Sequence, residues 1–385
     1  MKSNSKFFYI GILVISISIL FIGNRLSGNR PEPDIGFEFE TYELVFYTGV
    51  VTRVIERSET RVFGLPRVSI FFDARITSGP RRGEVVAVEQ ILNNPLVNER
   101  EVETGNRVLL VYDERRDRYF FANYLRINYV AILGLVFVVL VILFGRRKGF
   151  NGIVALGITC MAIFLVFVPA ILAGRNIYAA AIVVCVFSIV STLLMVIGAN
   201  KKALCAMLGC LGGLFAAGLL MLVMDTVLRL TGALNEEIQI LLLLPAQTPI
   251  NLRALIFAGV ILGAVGAIMD VAMSIASSLW ELRQAGDVSD FNSIVKSGIT
   301  IGKDILGTML NTLILAYIGS SLSLILLITV HSPSLIELLN MEVIIVEFLR
   351  ALVGSFGMLL AIPLTAGVCG RLYTAAIRQT NDQKK

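Results

Sequence analysis

The sequence predicts a mostly α-helical polytopic membrane protein of about eight transmembrane helices, with a small extracytoplasmic β-barrel or OB-like domain inserted near its N-terminus. Three observations carry that prediction. Of 385 residues, 56% are hydrophobic and only 16% are charged, the composition of a chain whose helices sit in lipid. The charge is bunched, because residues 24–128 hold 15 Lys+Arg and 16 Asp+Glu, and so a polar domain interrupts an apolar protein. The basic residues are also one-sided. Lys2/Lys6, Arg146–Arg147–Lys148, Lys201–Lys202, Arg283/Lys296/Lys303 and Arg371/Arg378/Lys384/Lys385 fall on one side of the predicted spans, against Arg175, Arg229 and Arg253 on the other. Excess Lys and Arg marks the cytoplasmic side, so both termini are expected inside and the polar domain outside.

Taken in order, residues 7–23 form the first apolar run, after Lys2 and Lys6. The run is longer than a signal-peptide core, and Gly23–Asn24–Arg25 offers no Ala-x-Ala cleavage site, so 1–23 reads as a retained transmembrane anchor. Residues 24–128 follow as the β domain. Leu44–Glu56, Arg67–Thr77, Gly83–Ile91, Arg107–Asp113 and Arg118–Arg126 are rich in Val, Ile, Phe and Tyr, and Gly64–Leu65–Pro66, Ser78–Gly79–Pro80 and Asn93–Asn94–Pro95 punctuate the gaps. That pattern predicts five short strands, a count that suits an OB-like barrel.

From Tyr129 the chain turns apolar, and residues 129–372 are expected to form a seven-helix domain ahead of a cytoplasmic tail, 373–385. The spans are placed at 129–145, 150–173, 177–199, 203–224, 253–278, 305–329 and 343–368. Two connectors are longer than turns. Ile238–Pro245 is apolar but too short to span, which suits an interfacial or re-entrant segment. Ser289–Asp290 can cap a helix whose Phe291, Ile294, Val295, Gly298 and Ile301 share one face, as in an amphipathic helix on the cytoplasmic surface. Either stretch could equally be a connector that tucks in its apolar residues.

Composition also excludes chemistry. The five cysteines lie in predicted spans or at a span end, without a CxxC spacing, and His331 is the single histidine; no metal site or disulfide framework is expected. No Walker loop is present. In 24–128 basic residues alternate with acidic ones, so no nucleic-acid footprint is expected. No cofactor and no enzymatic activity are predicted.

The candidate site lies inside the membrane. Asp270 interrupts an apolar run, at a cost of roughly 2.5–3.5 kcal/mol on insertion scales, which makes an intramembrane carboxylate a functional candidate by default. Asp270, Ser274, Ser277 and Glu281 at i, i+4, i+7 and i+11 share one helix face. Gly259 and Gly263 form a small-xxx-small pair that admits a close neighbour. On the next span Asp304, Thr308 and Asn311 recur at i, i+4 and i+7, with Asn311 at a depth close to that of Asp270. On the last span Glu347 and Arg350 can pair at i, i+3, and Pro363 further along could kink that span. The expected substrate or ion path is therefore Asp270, Ser274, Ser277, Asp304, Thr308, Asn311, Glu347 and Arg350. The competing reading is a structural Asp270 paired within the bundle.

At these residues a resemblance emerges. Gly263–Glu281 (GAVGAIMDVAMSIASSLWE), Gly302–Gly319 (GKDILGTMLNTLILAYIG) and Glu347–Ala366 (EFLRALVGSFGMLLAIPLTA) resemble the signature segments of the YibE/F-like membrane protein family. The resemblance extends over nearly the whole chain. It implies a bacterial multi-pass plasma-membrane protein with an extracytoplasmic β domain, and points to no particular activity.

Two function classes follow. The first is a permease or secondary transporter, with Asp270 and Asn311 as a proton or cation site and the bilayer and a small solute or ion as partners. A variant is a permease subunit driven by a separate ATPase docked on residues 284–303. The second is a membrane-anchored binding or assembly factor that recruits an envelope partner through its β domain. An intramembrane aspartyl hydrolase using Asp270 and Asp304 is disfavoured, because two carboxylates sharing a proton must nearly touch and these differ in depth.

Overall fold

The structure, a computed structural model, describes residues 2–27, 45–62, 65–92, 100–114, 116–234, 238, 250–286, 290–331 and 334–382. The chain divides into two compact units, Ile35–Leu140 and Met1–Asp34 with Val141–Lys385.

In the first unit the alternation read from the sequence becomes strands β1 (Val45–Val62), β2 (Leu65–Ile76), β3 (Val85–Leu92), β4 (Arg107–Asp113) and β5 (Arg118–Tyr124). Successive side chains of a strand point to opposite faces. Ile70, Phe72, Ala74 and Ile76 of β2 accordingly fill the core with Val51, Val88, Val108 and Leu110, and all are buried. The strands close into a barrel in the order β1-β2-β3-β5-β4. Only β3 and β5 run parallel, pairing at Val88 with Tyr119 and Glu89 with Phe120. This is a closed five-stranded barrel, as expected; β1 runs on to Val62, past the expected end at Glu56, and β4 spans the predicted residues.

The second unit is helical. Helix α1 (Lys2–Ser27) contributes Leu20 to a hydrophobic cluster with Ala155, Ile158 and Phe167. Helix α2 (Ile127–Ala162) begins in the first unit, which extends to Leu140, and runs on through a π-turn (Ile163–Phe167) into α3 (Val168–Leu172). It is not one rod. Arg146 has φ 47 and ψ −126, and a Cβ at Gly149 would lie 2.2 Å from the Val141 carbonyl oxygen. Eight residues of straight helix rise about 12 Å, so the chain folds back on itself at Arg146–Gly149. The predicted break between 145 and 150 falls there.

Helices α4 (Ile177–Ile197), α5 (Lys201–Val227), α6 (Leu252–Ala285), α7 (Phe291–Ser320), α8 (Leu322–His331), α9 (Leu335–Asn340) and α10 (Glu342–Asp382) follow. The tightest packing joins α5 to α10, and the sequence explains it. Cys205, Gly209, Gly213 and Ala217 on α5 meet Cys369, Thr365, Ala361 and Gly357 on α10, small against small at every fourth residue. A Cβ at Gly213 would lie 2.9 Å from Ala361 Cβ, and one at Gly357 would lie 3.1 Å from Ala217 Cβ. Such stripes let helix backbones approach where lipid offers no hydrophobic driving force. Helix α6 lies against this pair, with Ile261, Ala264, Ile268, Val271 and Ile275 buried in the same cluster.

Three expectations change. The surface helix and the span placed at 305–329 are one helix, α7, which ends at Ser320, and α8 is separate. Asp290 caps α7 as expected, its carboxylate accepting from the Ser293 N–H at 3.1 Å, and that hydrogen bonding holds it below the ordinary carboxylate range. The apolar face of α7, however, meets protein: a Cβ at Gly298 would lie 2.8 Å from Ala366 Cβ, and one at Gly370 would lie 2.8 Å from Phe291. Packing against α10 buries Ile294 and Gly298 and half-buries Val295 and Ile301, while Phe291 stays partly exposed at the helix start. The predicted tail is also helical, because α10 passes through Pro363 and continues to Asp382. The proposed re-entrant stretch lies outside the described residues apart from Ile238.

Candidate functional site

Helix α6 positions the site. Asn251 caps its start by accepting from the Ala254 N–H at 3.1 Å, and Gly286 ends it in the left-handed region at φ 87. Between them most of the helix surface is packed. One stripe is not: Gly259, Gly263, Gly266, Asp270 and Glu281 are exposed, with Ser274 and Ser277 half-buried beside them. At 100° per residue each of these side chains points within about 40° of Asp270. Among the described residues no atom of a neighbouring element lies within 4 Å of where a Cβ would stand at Gly259 or Gly266, so apart from Tyr317 at Gly263 this face is an open glycine groove with a carboxylate in it.

Three helices meet at one end of the groove. The Tyr317 hydroxyl of α7 rests against α6 at Gly263, where a Cβ would lie 2.6 Å from it. Tyr317 is also within electrostatic range of Arg350 and Glu347 of α10. Those two form the predicted i, i+3 ion pair, with Arg350 Nη1 donating to Glu347 Oε1. Among the described residues Glu347 Oε2 is buried without a hydrogen-bond partner. Asp270 lies seven residues further along α6, about 10 Å at 1.5 Å per residue, and has no hydrogen bond or ion pair among the described residues.

The remaining predicted residues stand apart from this cluster. Asp304, Thr308 and Asn311 are exposed on α7, turned away from its buried Ile294, Gly298 and Gly302. The Thr308 hydroxyl donates to the Ile305 carbonyl at 2.9 Å. Contacts of Gly298 with Leu279 and of Gly263 with Tyr317 set the register of the two helices. By interpolation Asp270 is level with a point between Thr308 and Met309, and Asn311 stands about two residue rises, roughly 3 Å, away along the axis. The two are close to level along the helix axes, but among the described residues no bond joins Asp270 to Asn311.

Sequence reasoning missed Tyr317, which one aromatic in an apolar run does not advertise. It also missed Asp225. That carboxylate is buried and accepts a two-pronged contact from Arg253, Nε at 3.2 Å and Nη2 at 2.7 Å, tying the end of α5 to the start of α6. A signal existed, since Asp225 continues the stripe Gly209, Gly213, Ala217, Met221 at the same four-residue step. Beside it Glu342 opens α10 by accepting from the Thr231 and Gly232 N–H groups at 2.8 and 2.7 Å and from the Thr231 hydroxyl at 2.7 Å. These contacts lock one end of the bundle and leave the groove open. Among the described residues no group of three or more His, Cys, Asp or Glu side chains could hold a metal ion.

Six helical stretches, Ile127–Leu172, Ile177–Ile197, Lys201–Val227, Leu252–Ala285, Phe291–Ser320 and Glu342–Thr374, are long and apolar enough to cross a membrane. Residues 133–375, more than half of the chain, match the family described as YibE/F-like protein. No curated protein and no solved structure matches the chain.

Proposed function

Because the chain belongs to the YibE/F-like family, we propose that it is a multi-pass protein of the bacterial plasma membrane and acts as a permease or secondary transporter. The reversal at Arg146 divides the longest apolar stretch in two and, with α1, supports a count of eight spans. The one-sided basic residues support cytoplasmic termini and an extracytoplasmic barrel. The observation that carries the transport reading is the partnerless Asp270 on the open glycine face of α6. A carboxylate kept in an apolar helix without a fixed cation is suited to binding and releasing a proton or a metal cation. Ser274 and Ser277 extend its face inward, Tyr317, Glu347 and Arg350 bound it outward, and Asp304, Thr308 and Asn311 stand apart from it on α7. No catalytic step is assigned to the chain.

The test is flux. The full chain in proteoliposomes loaded with a pH-sensitive dye is given an inward gradient of Na⁺, K⁺ or Mn²⁺, and internal pH is followed. Asp270→Asn keeps the shape of the side chain and removes its titration. The expected result is cation-driven proton movement that Asp270→Asn abolishes while the variant still inserts and folds. Flux in Asp270→Asn equal to that of the unaltered chain overturns the reading.

A second reading has its own observation. The barrel forms a compact unit with a closed core, as a module that captures an envelope partner would. Retention of such a partner by the barrel, with no loss of function in Asp270→Asn, favours that alternative. Docking of a separate ATPase on residues 284–303 has less surface available, because the apolar face there packs on α10.

A further inference from the structure

One cleft of the barrel unit is lined by three arginines, Arg100, Arg107 and Arg126. It measures about 850 Å³ and lies where the segment 100–107, the end of β5 and the start of α2 come together. Its walls are fixed by two buried or half-buried side chains. Gln90, 2% exposed, donates to the Arg100 carbonyl at 3.0 Å and accepts from the Val102 N–H at 3.0 Å. The Tyr124 hydroxyl donates to the same Arg100 carbonyl at 2.7 Å. The Leu125 N–H bonds the Arg107 carbonyl at 2.9 Å, which holds the two chain segments side by side. Arg100, Arg107 and Arg126 therefore face the cleft from a rigid frame.

The charge there is not balanced. Glu101 is already engaged by Arg57, whose Nε lies 2.9 Å from Oε1, and Arg57 also pairs with Glu59 at 2.5 Å. That leaves three guanidinium groups facing Glu103, a net of two positive charges. None of the three arginines has an ion-pair partner among the described residues; Arg126 rests over the Tyr124 ring at 5.9 Å. The cleft also receives the start of α2. The Tyr129 and Val130 N–H groups are both spent on the Arg126 carbonyl, and the first donors of a helix otherwise face outward.

We propose that this cleft binds a phosphate-bearing anion, and that its position favours the headgroup of an anionic phospholipid. Guanidinium forks match phosphate oxygens in pairs, which is the recognition arginine performs best. Position supplies the source. Arg126 immediately precedes Ile127, and Ile127, Val130, Ile132, Leu133, Leu135 and Phe137 are all strongly exposed. A helix so apolar on its outside belongs in hydrocarbon, which puts the cleft at the level of the headgroups, where Tyr129 is also at home. The inference rests on the membrane reading above but not on transport.

The test uses the full chain in detergent micelles and native mass spectrometry. Dioctanoyl phosphatidylglycerol, dioctanoyl phosphatidylcholine and inorganic phosphate are titrated separately, on the unaltered chain and on Arg100→Gln/Arg107→Gln/Arg126→Gln. A second variant, Arg107→Lys, keeps the charge and removes the fork. The arginines are exposed, so the barrel folds without them, and circular dichroism checks this. Phosphatidylglycerol is expected to bind ahead of phosphatidylcholine and to weaken by about tenfold per arginine removed, with Arg107→Lys between the two. Inorganic phosphate binding as well as phosphatidylglycerol, and lost in the same variant, supports the site with a soluble anion as occupant. Phosphatidylglycerol and phosphate binding that the triple variant leaves unchanged overturns the proposal, whatever the flux experiment returns.

Discussion

Gly209 is the position where one methyl group tests the packing argument. It faces Thr365 across the α5–α10 contact, and a Cβ there would lie 1.9 Å from Thr365 Oγ1, 2.8 Å from its Cβ and 2.9 Å from its Cα. A rotamer change can move the hydroxyl but not the backbone carbon. Carbon atoms pack at about 3.5–4.0 Å, so Gly209→Ala must part the helices by roughly 0.6–1.1 Å. That displacement also loosens the Gly213–Ala361 and Ala217–Gly357 levels of the same seam. Overpacking of this kind costs about 1–3 kcal/mol, while replacing a mid-helix glycine by alanine returns about 1 kcal/mol of helix propensity. Because the obstruction is backbone, the upper part of the range applies, and a net loss of about 1–2 kcal/mol is expected. Gly218→Ala is the control on the same helix. Its nearest neighbour is Phe257 Cζ at 3.9 Å, so it should gain about 0.5–1 kcal/mol. Unfolding of the full chain by SDS in mixed micelles reads both, followed through Trp280, the single tryptophan, whose ring packs on Tyr373 at 5.3 Å. Thr365→Gly should restore part of the loss in Gly209→Ala, and it forfeits no hydrogen bond, because Thr365 Oγ1 is buried without a partner among the described residues. If Gly209→Ala resists SDS as well as Gly218→Ala does, the close-contact argument is refuted.

Two further outcomes follow from the same geometry. Breaking a fully buried ion pair from one side costs roughly 3–5 kcal/mol; the Arg350 side chain is 31% exposed, so Arg350→Ala should cost less than that, and adding Glu347→Ala should recover part of the folded yield, which independent single-variant losses would contradict. A reporter fused after Asp113 should read extracytoplasmic and one after Ala285 cytoplasmic, and cytoplasmic labelling of the barrel would reverse the assigned orientation of every span.

What could be read without coordinates is what depends on near neighbours along the chain. Strand β4 lies at Arg107–Asp113 as read, because alternation and its bounding turn residues are local properties. The Asp290 cap and the Glu347–Arg350 pair were legible for the same reason, since their partners lie three residues away. The break between 145 and 150 was legible from Arg146–Arg147–Lys148, because charge interrupts hydropathy at that point. Asp270 and its small-residue face could be identified from period alone, though not whether that face was covered. That was decided by register between helices far apart in sequence. Period assigned Phe291, Ile294 and Gly298 an apolar face, but only the approach of Ala366 and Gly370, some seventy residues on, determined that protein and not the bilayer surface covers it. Asp225 and Arg253 are 28 residues apart, and Tyr317 meets Gly263 and the Glu347–Arg350 pair through three separate helices. Helical periodicity tells which residues share a face; which face meets which neighbour depends on how closely two backbones can approach, and that is set jointly by small residues such as Gly209 and Gly357 on different helices.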